Sequence, residues 1–128
     1  MGVTNGAVAI ILRAEQVAIF ATGALVWLAN GGPPLLLIPA WLAVDLSMVG
    51  YLAGPRVGAI TYNVAHNLVG PLALLGLGWW TDFGWLILVG AALLTHVGLD
   101  RALGYGLKLP TDFRDTHLGR IGRTKPIR

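Results

Sequence analysis

The chain has no cysteine, so disulfides, thiolate metal ligands and a cysteine nucleophile are all excluded. It is also poor in charge: Asp, Glu, Lys and Arg make up 12% of its 128 residues, about half the share usual in a soluble domain. A soluble globule of this size would need more charge to cover its surface. The apolar runs are too long for strands and lack period-two alternation, which excludes an all-β fold. A glycine-rich phosphate loop is missing as well. Gly54-Pro55-Arg56-Val57-Gly58 lacks the Lys-Ser/Thr of a Walker motif and follows a helical run, not a strand. Ser47 stands in no nucleophile-elbow pattern. Residues 1–11 carry no Lys or Arg, and Arg13 and Glu15 fall inside the apolar run. The first segment is therefore expected to be a retained helix, not a cleaved leader.

What the chain does have is apolar surface. Its hydrophobic fraction is 55% and its mean hydropathy is +0.70. Glycine (18) and tryptophan (5) are both abundant, as suits membrane helices and the membrane–water boundary. Four apolar runs, at about 7–29, 35–52, 56–79 and 83–103, each approach the ~20 residues that cross a bilayer. Turn signals separate them: Asn30-Gly31-Gly32-Pro33-Pro34, then Gly54-Pro55, then Thr81 to Phe83. The expected fold is all-α, one membrane domain over 1–128 built as a four-transmembrane-helix bundle with short loops. A basic tail follows at 107–128.

Orientation follows from the basic residues. With four spans, the N-terminus, the second loop and the C-terminus share a side. That side holds Arg13, Arg56, Arg101, Lys108, Arg114, Arg120, Arg123, Lys125 and Arg128, all nine basic residues of the chain. By the positive-inside rule both termini are expected in the cytoplasm, in a bacterial inner membrane. The net charge of +3 and pI near 9.8 could suggest nucleic acid. The basic groups instead sit at helix ends and in the tail, which fits lipid headgroups and no nucleic-acid partner.

Polar residues within the spans are unevenly placed. Arg13, Glu15 and Gln16 lie early in the first run, and Asp45, Ser47 and Tyr51 late in the second. Tyr62, Asn63, His66 and Asn67 lie in the first half of the third; Thr95, His96, Asp100 and Arg101 in the last half of the fourth. All fall in the expected cytoplasmic leaflet, and the outer halves are nearly pure Leu, Val, Ile, Ala and Gly. An Asp or Arg at mid-span costs roughly 2.5–3.5 kcal/mol, so such groups are expected to face inward and pair. Arginines can reach the headgroups from there; the short chains of Asp45 and His66 cannot. His96 and Asp100 are four apart, as are Tyr62 and His66, and Asn63 and Asn67. Each pair therefore shares a helix face.

Three chemistries suit this set. His66, His96, Asp45 and Asp100 could ligate a divalent transition metal such as zinc, iron or manganese. The same four could act as general acid and base on a lipophilic small molecule entering from the leaflet. Tyr62, Asn63, Asn67, Tyr51 and Glu15 would then position the substrate, with Arg101, Arg56 and Lys108 holding an anionic end. A proton or small-solute relay is disfavoured, because the outer leaflet offers no polar steps. Against all three stands a non-enzymatic subunit of an oligomer or larger membrane complex, its polar groups serving as interhelical hydrogen bonds. The tail has two readings: a basic segment lying on anionic lipid, or a lid in which His117 and Asp115 close over the cytoplasmic mouth.

Several stretches carry a family resemblance: Asp45-Leu46-Ser47-Met48, Gly50 to Gly58, Tyr62-Asn63-Val64-Ala65-His66, His96 to Lys108, and Thr116-His117-Leu118-Gly119. Together they resemble a family of small bacterial integral-membrane proteins known as a domain of unknown function, numbered 4260. The similarity runs from Leu12 to Gly122 and is most specific over Asp100-Arg101-Ala102-Leu103-Gly104-Tyr105-Gly106-Leu107-Lys108. The resemblance implies a membrane fold and supplies no activity. Its motifs coincide with the polar positions singled out above.

Overall fold

The computed structural model describes residues 6–122; Arg123, Lys125 and Arg128 of the basic tail lie outside the described residues. Helix α1, Gly6–Ala29, is apolar almost throughout and stops where the sequence turns to glycine and proline. Gly31 takes a left-handed φ of +80°, and the Trp27 indole Nε1 donates to the Pro33 carbonyl at 3.0 Å, closing the turn.

The second run is not one uniform helix. A short 3-10 turn, Pro34–Leu36, leads into α2, Leu37–Asp45, and the chain then tightens into a 3-10 helix over Leu46–Ala53. Eight residues of 3-10 helix is long for that conformation. The cause lies in the neighbouring element: Thr61 Oγ1 donates to the Ser47 carbonyl at 2.7 Å and intrudes on the ladder.

The third run differs from the single helix expected over 56–79. It divides into α3, Pro55–Ala65, and α4, Val69–Thr81. Pro71 explains the break. It cannot donate to a preceding carbonyl, so it is stable only in the first turn of a helix, where that N–H has no partner anyway. Asn67 bridges the gap: its Nδ2 donates to the carbonyls of Asn63 and Val64 at 3.0 and 2.8 Å, and its Oδ1 accepts from the Gly70 N–H at 3.1 Å. Helix α5, Gly84–Leu103, follows a tight turn through Asp82 (φ 56°) and ends on Gly104 at φ +98°. There the Tyr105 N–H reaches back to the Asp100 carbonyl at 2.8 Å, a glycine-terminated helix stop.

α5 is the central post. It packs along α1 on one side and α4 on another, with α2 resting lightly against it, while the Leu46–Ala53 helix packs on α3. The core joins Trp27 of α1, Leu75 of α4, and Ile87, Ala91, Ala92 and Leu94 of α5. Close approach of α1 depends on small residues. A Cβ on Gly98 would meet the Phe20 backbone nitrogen at 2.7 Å, and one on Gly23 would meet the Thr95 backbone nitrogen at 2.9 Å.

The rest of the apolar surface faces outward, including Leu35, Leu42, Leu46, Val49 and Leu52 on the second run. Gly6–Ala29, Pro34–Ala53 and Gly84–Leu103 are each long and apolar enough to cross a membrane, and these exposed faces suit lipid. α3 and α4 have 11 and 13 residues, too few to cross singly. The tail folds into a two-stranded hairpin, β1 (Asp115–Thr116) paired antiparallel with β2 (Gly119–Arg120), and Lys108 bridges to Thr116 on its other side.

The α1–α5 contact gives a direct test. Gly98→Val forces the helices apart and is expected to cost about 2 kcal/mol or more, within the range for overpacked cores. Gly76→Ala, on an open face of α4 with nothing within 4 Å, should be neutral or stabilise by up to ~1 kcal/mol. Thermal melting in detergent reads both.

Candidate functional site

Four side chains from three parts of the fold meet beside α5. Asp45 is the last residue of α2, where the helix changes to 3-10 geometry. His66 caps α3 at the break before α4: its N–H makes a last helical bond to the Tyr62 carbonyl at 2.9 Å, and its φ of −113° leaves the helix. His96 and Asp100 stand one turn apart on α5. The Nε2 atoms of the two histidines are 3.1 Å apart. Asp45 Oδ1 lies 3.2 Å from the first and 3.0 Å from the second. Asp100 Oδ2 lies 3.7 and 3.4 Å away from them.

The protonation chemistry of this cluster is constrained by one hydrogen bond. His66 Nδ1 lies 2.9 Å from the Tyr62 carbonyl, and a carbonyl can only accept, so Nδ1 carries the ring proton. In neutral His66 the Nε2 that faces the cluster is then a bare lone pair. It confronts a second imidazole nitrogen and two carboxylate oxygens. Such a set has four electron-rich atoms and few protons to share between them, which suits a cation at its centre.

The dimensions agree. Ligands about 2.0–2.1 Å from a tetrahedral zinc are about 3.3–3.4 Å from one another. Five separations here fall between 3.0 and 3.7 Å, and all four ligand atoms lie within 4.8 Å of one another. Two imidazoles and two carboxylates suit zinc, iron or manganese.

Supporting contacts hold the rings in place. The Tyr62 ring stacks on His66 with centroids 3.7 Å apart and planes 6° from parallel, and its hydroxyl donates to Asp100 Oδ2 at 3.4 Å. Bonds of this kind orient ligands around a metal. Trp41 rests its ring near His96 at 6.3 Å and donates Nε1–H to Thr95 Oγ1 at 3.0 Å. The imidazoles are shut in, with side chains 3% and 5% exposed, whereas Asp45 and Asp100 remain 34% and 23% exposed. Those carboxylates wall a cavity of about 230 Å³ together with Met48, Tyr62, Tyr105, Lys108 and Phe113.

The tail completes this cavity. Lys108 is buried, and its Nζ lies 4.1 Å from the Phe113 ring centroid and 4.9 Å from that of Tyr62. Burial pushes the ammonium below its ordinary pKa and the charge of Asp100 pulls it back up. Asn63 pins the segment in place: its Nδ2 donates to the Lys108 carbonyl at 2.8 Å and its Oδ1 accepts the Lys108 N–H at 2.6 Å.

The remaining polar residues from the sequence go elsewhere. Asn63 and Asn67 have their amides engaged with backbone. Tyr51 lies outside the cluster, its ring edge-on to Phe113 at 5.2 Å. Arg101 is not among the clustered side chains: its Nη2 donates to the His66 backbone carbonyl at 3.5 Å, and it lines a different cavity. Glu15 and Arg56 are exposed and line neither described cavity. His117 is not over the cluster: its Nδ1 accepts the Leu107 N–H at 2.8 Å, and it lines a second cavity. Asp115 stays within the hairpin, accepting from Thr111 and Arg120. The tail is thus a folded hairpin closing one side of the site through Lys108 and Phe113, where the sequence suggested either a surface segment or a His117 lid.

A family model described as a domain of unknown function (DUF4260) matches residues 9–121. The chain belongs to the DUF4260 family. All four clustered residues fall within the matched segment, as do Tyr62, Asn63 and Lys108. No curated protein and no solved structure matches this DUF4260 chain.

Trp41 was not singled out from sequence, and Met48 and Tyr105 entered only as members of the family-like stretches, with no role. Trp41 carried a usable signal, since it precedes Asp45 by one helical turn and shares its face. The Asn63 clamp is checked by Asn63→Ala. Loss of two buried backbone partners, roughly 1–3 kcal/mol, should speed hydrogen exchange at Lys108 about ten-fold or more while leaving α1 and α5 protected.

Proposed function

We propose that this chain is a membrane-embedded metalloenzyme acting on a lipophilic substrate with one polar, anionic end. The observation that carries the reading is the convergence of Asp45, His66, His96 and Asp100, with the His66 lone pair fixed toward the centre by the Tyr62 carbonyl. These four would hold one divalent transition metal. When bound, such an ion supplies Lewis-acid polarisation and a water of lowered pKa. The chain's own residues do the rest. Lys108 attracts the anionic end, Tyr62 steadies Asp100, and Met48 and Phe113 give the cavity an apolar wall.

The topology belongs to the same proposal. α3 and α4 together form the third of four crossings, both termini are cytoplasmic, and the centre lies in the cytoplasmic leaflet of a bacterial inner membrane. The one-sided distribution of Arg and Lys supports this. Because the chain lacks cysteine, single-cysteine labelling tests it cleanly. Arg114→Cys should react with an impermeant maleimide only from the cytoplasmic face, and Trp80→Cys only from the other. The reverse pattern removes the assignment.

A second reading keeps the ion but drops catalysis: a metal staple in an accessory subunit of a larger membrane complex. Four protein ligands drawn from three parts of the fold favour it, since structural zinc sites are closed and catalytic ones keep an open position.

Two measurements decide between these. Protein purified from membranes without chelator should carry about one zinc, iron or manganese per chain, as expected of a single four-ligand site. Asp45→Asn and His96→Gln should each abolish it; metal-free wild-type protein sinks both readings. In cobalt-substituted protein, added acetate should change the visible spectrum if a coordination position is exchangeable. A spectrum indifferent to small anions means a closed staple and no enzyme.

A further inference from the structure

The last turn of α5 separates two cavities. Asp100 and Tyr105 face the metal-ligand cluster, whereas Arg101 and Gly104 wall a second cavity, also about 230 Å³, closed by α1 and the hairpin. Arg13 and Gln16 reach it from α1, and His117 from the tail. Among the described residues no carboxylate lines it. Among the described residues neither arginine forms an ion pair with an acid, and the nearest polar partner of Arg101 is the His66 carbonyl at 3.5 Å. Gln16 adds an unfilled bond: its Oε1 is buried with no hydrogen-bond partner. The side-chain amide can turn to offer N–H instead. At His117, burial and the Arg101 charge both hold the ring below its ordinary pKa. Its Nδ1 takes the Leu107 N–H, so the ring proton stays on Nε2. Every polar group in the cavity can thus donate, and two carry fixed positive charge.

We infer that this second cavity is a phosphate-binding site, in which Arg13 and Arg101 clamp a phosphate ester while Gln16 and His117 donate to it. Two guanidiniums match the planar, bidentate recognition that phosphate oxygens favour. The site sits where a span meets the polar tail, the depth of a phospholipid headgroup, and the same clamp accepts a soluble phosphate. It does not depend on the metal centre. Arg13 touches none of the four clustered residues, and a metal-free protein would keep this cavity.

The test uses the full chain in zwitterionic detergent, with phosphatidylglycerol, phosphatidylcholine and inorganic phosphate as separate probes and thermal stabilisation as the readout. Phosphatidylglycerol should raise the melting temperature saturably, and Arg13→Gln should weaken its midpoint at least about ten-fold, as loss of a charge-assisted fork implies. Arg101→Gln should do the same. Arg56→Gln, an exposed arginine outside both cavities, should leave the midpoint unchanged. If inorganic phosphate reproduces the effect with the same Arg13 dependence, the occupant is a soluble phosphate. If only the lipid does, it is a headgroup. Equal weakening by Arg56→Gln means diffuse attraction to charge and overturns the site, as does no response to either phosphate probe. Arg13 is exposed, so its variant should fold; unchanged metal content in Arg13→Gln confirms that the two cavities are read separately.

Discussion

The arrangement turns on a single hydrogen bond inside the third apolar run, from His66 Nδ1–H to the carbonyl of Tyr62. That bond fixes which ring nitrogen is bare and which way it faces. The same carbonyl also accepts the His66 N–H, and the chain leaves helical geometry at this residue because Pro71 fits in the first turn of the next helix. Stacking of Tyr62 on the same ring removes its remaining freedom. A backbone constraint set five residues downstream therefore decides the chemistry of an imidazole. Without that break, His66 would continue the helix and its Nε2 would not face the centre from between two segments.

The spans were legible because membrane helices must satisfy their backbone internally and cover themselves with apolar side chains. Run length and hydropathy therefore located α1, the second run and α5 closely. The polar cluster was legible for a related reason. Asp45, His66 and the His96–Asp100 pair are costly within apolar runs unless they meet, and four such residues on three runs imply a meeting point. The internal form of the runs was not legible. Thr61 tightening the Leu46–Ala53 helix is a contact between elements, and no periodicity records it. Asn63 and Asn67 looked like substrate-facing amides because their spacing is the same as that of a functional row. What the spacing could not show is that Asn67 spans a chain break and Asn63 binds a tail 45 residues away.

The tail illustrates a different limit. Its composition, basic with two prolines, is that of a surface segment, yet Asn63 and the Lys108–Thr116 bridge fold it against the bundle. Burial of Lys108 between two aromatic rings is tolerable because the cation finds π-faces in place of water. Among the described residues no carboxylate pairs with that ammonium, and it lines the cavity shared with Asp45 and Asp100. Those two carboxylates are the exposed side of the cluster and the imidazoles its closed side, so an approaching molecule meets oxygen ligands and the ammonium first.

The end of α5 shows how few residues are needed to build two unlike cavities. Successive residues of a helix point about 100° apart, so Asp100 and Arg101 must face different surroundings. The anionic member of that pair joins the cluster; the cationic member faces the donor-lined cavity. Arg101 also touches the carbonyl of His66 at 3.5 Å, so the same side chain borders the donor-lined cavity and the segment between α3 and α4. The same turn that divides the cavities is therefore the shortest covalent path between them, and Gly104, ending it at φ +98°, lets the tail leave at the angle that encloses both.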